Sequence, residues 1–161
     1  MAEKVLAVVT AAALRHPLGD PRLAGFLGAV DPVNRLAEAS PGFVWRHRGP
    51  VGHADLIQAL GHTDVLLNLS VWEDYPALHA FTYHGLHGRF LTARENWFLP
   101  IPGPTTALWW VDRGRLPDPG TATTRLLYLR RHGPSARAFT VLRRWRPDGT
   151  REPGRWHRRA Q

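Results

Sequence analysis

The sequence contains no cysteine. That excludes a disulfide frame, a thiolate nucleophile and any cysteine-held metal site. Lysine is almost missing too: Lys4 is the only one, and arginine supplies the rest of the fixed positive charge. No apolar run approaches the roughly 18 residues needed to cross a bilayer. The stretch from Met1 to Thr10 is apolar after Glu3 and Lys4 but has no basic leader region. It runs straight into patterned sequence and reads as a strand, not as a signal peptide. A cytoplasmic location is the default expectation. There is no HExxH, no GxSxG and no phosphate-binding glycine loop. Without a glycine fingerprint, a nicotinamide or flavin held in the Rossmann manner is not expected.

What the chain does have is 161 residues, enough for one domain with a substantial core, and a formal charge of +8. The charge is unevenly placed. From Arg143 to Gln161 there are seven arginines against Asp148 and Glu152, which gives that stretch +5 and leaves +3 for the rest. Arginine, alanine, glycine and proline are all abundant, as in the coding bias of a high-GC genome, so arginine number alone means little. The expectation is a single domain over residues 1–142 followed by a solvated arginine-rich tail over residues 143–161, dispensable for folding. A nucleic acid partner ranks last, because no basic groove with interleaved aromatics is evident in the body.

Hydrophobic periodicity gives the order of elements. Val5 to Thr10 reads as a buried strand. Asp20-Pro21 is a helix start, followed by Leu23, Phe26, Leu27, Val30, Val33 and Ala37 at helical spacing. Pro32 is expected to kink or split that helix near Asp31, and Ser40-Pro41-Gly42 to end it. Phe43 to His47 is a second strand. Val65 to Trp72 is the clearest strand, with Asn68, Ser70 and Trp72 on one face. Asp74 caps a helix expected from about Pro76 to Phe98. Thr105 to Val111 is a fourth strand, Thr121 to His132 a last helix, and Ala138 to Leu142 a short edge strand. Strand, helix, strand, strand, helix, strand is the split βαβ pattern of an α+β, ferredoxin-like fold, here with an extra C-terminal helix. Two helices cover one sheet face. The other face is expected to pair with a second copy, giving a homodimer.

Several segments together resemble a known family: Ser40 to Trp45, Asn68 to Glu73, Tyr83 to His87 with Arg94, Trp97 and Phe98, Trp109-Trp110-Val111, and Arg131 to Pro134 before Phe139. They are similar to the family catalogued as domain of unknown function 3291, over roughly residues 5 to 142. That family in turn is similar to the dimeric α/β-barrel superfamily. The resemblance implies two ferredoxin-like protomers packed sheet to sheet, each with a pocket between its sheet and its helices. Superfamily members include cofactor-free monooxygenases of aromatic polyketides, isomerases, cyclases and haem enzymes. The architecture is implied; a reaction is not.

One constellation carries possible chemistry. Tyr83, His87, Phe90, Arg94 and Trp97 are spaced four, three, four and three apart, one stripe of a continuous helix. A phenol, an imidazole and a guanidinium on an inward stripe are costly unless partnered. Asn68 and Ser70 on one strand face, and Asn34 one turn after Val30 on the first helix, are partners by pattern. Trp45, Trp72 and Trp97 would edge the resulting half-polar cavity, which describes a small-molecule site. The same groups also read as a satisfied structural network, with Arg94 paired to Glu73 or Glu95. As an enzyme, His87 would be the acid or base, and Arg94 with Tyr83 or Asn68 would hold an oxyanion. The substrate would be apolar, aromatic or polycyclic, and the reaction a cofactor-free oxygenation, cyclisation or isomerisation of specialised metabolism. The alternative is a non-catalytic small-molecule-binding protein. No cofactor is expected; a haem variant, implied by the superfamily alone, would use His87 as axial ligand with Arg94 near a propionate. No metal site is expected, since His84 and His87 lack a third ligand.

Overall fold

The computed structural model describes residues 2–17, 19–48, 60–61, 65–83 and 94–154. Its centre is β1 (Lys4–Leu14), a strand longer than its apolar start implies, because the alanine run after Thr10 continues it. β3 (Val65–Trp72) pairs with one edge of β1, and β5 (Thr106–Asp112) with the other, both antiparallel. β2 (Phe43–Arg46) flanks β3, and a two-residue β4 (Phe98–Leu99) pairs with Ala13 and Leu14. The path β2-β3-β1-β5, antiparallel throughout, is the ferredoxin-like order expected from the sequence.

Local chemistry sets the helix ends. Asp20 accepts from the Arg22 backbone N–H at 2.9 Å and opens a 3-10 turn (Pro21–Leu23) that runs into α1 (Ala24–Ala39). Pro32 does not split this helix. Asp74 accepts from Ala77 N–H at 2.9 Å at the start of α2 (Tyr75–Tyr83). Asp118 accepts from Thr121 N–H at 2.7 Å and opens α3 (Pro119–His132), which Gly133 ends at φ 78°.

The two sheet faces are packed differently. On one face, here face A, Val5, Ala7, Val9, Leu69, Val71 and Trp109 form a continuous core with Ala122, Leu126 and Leu129 of α3. Burying Leu126 and Leu129 contributes about 1.5–3 kcal/mol each. This changes the expectation for that face. The sequence left it to a second copy; in the structure the chain's own last helix covers it. Thr123, on the same helix, is 1% exposed, and its hydroxyl has no hydrogen-bond partner among the described residues. Thr123→Val is therefore expected to stabilise the protein by about 1 kcal/mol in chemical denaturation, since an unpartnered buried hydroxyl costs about that much. A loss of stability would show that the hydroxyl has a partner.

On the opposite face, face B, the core is divided. Leu6, Val8, Trp72 and Leu108 pack with Ala37 of α1, Leu78 of α2 and Phe139. Leu14 packs separately with Leu23 and Phe26, with Val30, Leu66, Trp97 and Phe98 beside them.

The boundary expected at Leu142 is not a boundary. Trp110 Nε1 donates to the Trp145 carbonyl at 2.7 Å, and the Trp145 ring lies 6.0 Å from that of Phe139. Arg144 sits 4.0 Å over the Tyr75 ring and is held by Glu152 at 3.0 Å. A bridge between Trp145 and Arg151 closes the segment. Residues 143–154 thus dock on the body. They cover Trp110, the tryptophan of the Trp109-Trp110 pair that faces away from the α3 core. Instead of an edge strand at Ala138 to Leu142 there are two isolated bridges, Leu108 to Phe139 and Ser135 to Ala138.

Candidate functional site

The gap between the two face B clusters is polar. β1 is apolar along its whole interior except at Thr10, which is exposed. Thr10 lies opposite Asn68 on β3 and Thr106 on β5. Its hydroxyl is 3.1 Å from that of Thr106. Asn68 is exposed, and Ser70, two residues on, is half-buried and accepts from Trp72 Nε1 at 3.0 Å. A rung of hydroxyl and amide groups therefore crosses the three central strands where packing would call for aliphatic side chains. On one side of it stand Phe26 and Trp97, with ring centres 5.9 Å apart. On the other stands Trp72, buried, stacked on Phe81 at 5.1 Å and edge-on to Phe43 at 5.4 Å. Along α1, half-buried Asn34 lies between Val30 of one cluster and Ala37 of the other.

The structure brings together only part of the expected constellation. Asn34, Asn68, Ser70, Trp72 and Trp97 all belong to face B or the helix over it. Trp45 does not: a bulge between Phe43 and Trp45 shifts the register, so Phe43 opposes Trp72 while Trp45 opposes Val71 and packs on face A. The continuous stripe from Tyr83 to Trp97 is not formed. Arg94 lies in a 3-10 turn (Arg94–Asn96), Trp97 follows that turn and Phe98 begins β4. Arg94 is exposed, and Glu73, its expected partner, is bound by Arg113, which also holds Glu3 at 2.9 Å. Tyr83 is 55% exposed and lies 4.6 Å from the His79 ring. His87 and Phe90 fall outside the described residues, as does His84. The sequence reading missed Thr10 and Thr106. The signal was present at Thr10, the one polar side chain inside an otherwise apolar central strand, whose role is visible only once its neighbours across the sheet are known.

The haem variant assigns the iron to His87, which lies outside the described residues, and a propionate to Arg94, which is exposed in its 3-10 turn. Among the described residues no cluster of three or more His, Asp or Glu is placed to hold a metal ion, and no helix is long and apolar enough to cross a membrane.

A family model described as "Domain of unknown function (DUF3291)" matches residues 5–155. The chain belongs to this family. The DUF3291 match runs past Leu142, in keeping with the docked C-terminal segment. No curated protein matches the chain. Among solved structures, the chain is similar to the protein PA3566 from Pseudomonas aeruginosa at 12% identity and a TM-score of 0.48, covering 73% of this chain and 99% of that one. It is similar to SnoaB, a cofactor-independent oxygenase from Streptomyces nogalater, at 17% identity and a TM-score of 0.44, covering 73% of this chain and 100% of that one. A third is a putative antibiotic biosynthesis monooxygenase from Nitrosomonas europaea, at 10% identity and a TM-score of 0.45, covering 70% and 91%.

Proposed function

We propose that this chain binds an apolar, ring-bearing small molecule against the polar rung of face B, and acts on it as a cofactor-free oxygenase, cyclase or isomerase. The observation that carries this reading is the polar rung of Thr10, Asn68 and Thr106 separating two aromatic-walled clusters. A sheet face built only for stability would be filled there with aliphatic side chains. Apolar walls with a few convergent polar groups are what a ring-bearing ligand with one or two oxygen substituents needs. In the Thr10–Thr106 pair one hydroxyl donates to the other, which leaves one hydroxyl hydrogen free for a ligand oxygen. The Asn68 amide adds both a donor and an acceptor.

The polar groups of the rung are hydroxyls and an amide, none of which titrates near neutral pH. A proton-transfer role therefore falls to His87 in this proposal. The same observation supports a second reading, a carrier that binds without reacting. A homodimer belongs to the first reading, but its sheet-to-sheet form requires α3 to leave face A. Association in light scattering with exchange protection of Leu126 and Leu129 retained would place the contact elsewhere.

The test is a titration of tryptophan fluorescence with hydroxylated naphthalenes and anthracenes. Thr10→Val with Asn68→Leu removes two hydrogen bonds at about 1 kcal/mol each, so affinity is expected to fall roughly thirtyfold. The melting temperature should hardly move, because both residues are exposed. Unchanged affinity in the double variant, or no binding by any member of the panel, would defeat the proposal. Chromatography with mass and NMR analysis of the bound compound after incubation in air separates the readings: an altered structure, whether or not the mass changes, means an enzyme, an unaltered one a carrier.

A further inference from the structure

We propose that the solvent face of α3 carries, at Arg125 and Arg137, a binding site for a phosphate group. This site lies on the opposite side of the sheet from the polar rung and does not depend on the reading given to it. Between Asp118 and Asp148 the chain has no carboxylate side chain and seven arginines. Two of the seven are occupied elsewhere. Arg130 donates to the Pro102 and Pro104 carbonyls, and Arg144 is held by Glu152.

Arg125 is different. It is half-buried, donates to the Arg137 carbonyl at 2.8 Å, and has no acidic partner among the described residues. The other partly buried arginines that salt-bridge do so to glutamates: Arg46 to Glu38, Arg113 to Glu3 and Glu73, Arg144 to Glu152. Burial pulls the Arg125 pKa below its usual value, and the nearby positive charge of Arg137 adds to the effect. A half-buried cation near a second cation, with no counter-charge among the described residues, is the arrangement an incoming anion relieves. Arg137 is fixed in place over the Tyr128 ring at 5.5 Å, and that ring is itself 4.4 Å from His132. Arg125, Tyr128 and His132 lie three and four residues apart, on one helix stripe. Two guanidinium groups, one beside a ring and the other with N–H donors left after its bond to the Arg137 carbonyl, offer the paired donors that phosphate oxygens accept. The phosphate is either that of a free small anion or one carried on a polynucleotide backbone.

The full chain is titrated at about 50 mM salt with pyrophosphate by calorimetry. In parallel it is titrated with a fluorescein-labelled single strand of about 20 nucleotides by anisotropy. The variants are R125Q/R137Q and, as a control with the same charge change, R35Q/R115Q. At least one probe is expected to bind, to lose about tenfold or more in affinity in R125Q/R137Q, and to stay within about twofold in the control. Pyrophosphate alone assigns the site to a free anion; the strand, with a salt dependence reduced in the variant, assigns it to a backbone. Absence of binding by both probes, or equal loss in the two variants, overturns the proposal. Should R125Q/R137Q fail to fold, R137Q alone, at an exposed residue, gives the same comparison.

Discussion

A chain ending at Leu142 is expected to melt well below the full-length protein. The removed segment holds three separate contacts. Its Trp145 carbonyl takes the Trp110 indole hydrogen, its Trp145 ring lies against Phe139, which is 1% exposed, and its Arg144 covers Tyr75 at the start of α2. Truncation leaves an indole N–H without its acceptor and opens the end of the face B cluster that holds Leu6, Leu108 and Phe139. Losses of this kind sum to about 3–5 kcal/mol. At about 2–4 °C per kcal/mol for a chain of this length, the melting temperature should fall by roughly 6–20 °C. Trp145→Ala in the full chain keeps the backbone acceptor, so its effect should be smaller, about half. Calorimetric melting of both proteins checks the pair. An unchanged transition in the truncated chain would mean that the segment rests on the body without supporting it.

Gly42→Ala should rival that loss. Gly42 sits at φ 82°, and a Cβ added there would stand 2.5 Å from the Ala77 Cβ. The left-handed conformation costs a residue with a Cβ about 1–2 kcal/mol, and the overlap with α2 adds to it. The backbone cannot simply retreat, because the Gly42 carbonyl accepts from Glu73 N–H at 2.7 Å and ties the turn after α1 to the end of β3. A combined loss of about 3–5 kcal/mol is expected in urea denaturation. Gly42→Ala with Ala77→Gly should recover the clash but not the φ cost, about half of the total. Full recovery in the double variant would show that the backbone conformation is not a constraint.

The strands show where local pattern suffices. Val65 to Trp72 was legible to the residue because a strand with one wholly buried face alternates strictly, and the alternation depends on nothing distant. α3, expected from Thr121 to His132, starts two residues earlier at Pro119 and ends as expected, because Gly133-Pro134 is a stop that acts within one turn. The helix expected to reach Phe98 failed for the complementary reason. Leu14 offers Phe98 a strand partner, and pairing with a chain segment some eighty residues away outweighs helical spacing, which the sequence displays and the partner does not. Trp45 failed through one extra residue. A bulge reverses which way every later side chain in a strand points, and no residue type announces it.

The site divides the same way. Asn68 and Ser70 could be placed on one strand face from their spacing, and Asn34 on the sheet side of its helix. That Thr10 and Thr106 stand beside Asn68 follows from register between strands, which the turn geometry and the rest of the sheet fix.

By itself, then, the sequence determined an α+β chain of split βαβ units, the two faces of β3 and the lack of any thiol chemistry. These rest on interactions within a few residues. Only the tertiary structure decided that α3 closes face A, that the arginine-rich segment belongs to the body and that the face B core parts around a polar rung. Each of these depends on which distant surfaces meet. An amphipathic helix or a lone tryptophan signals that it must be covered, but the chain carries no local mark of what covers it.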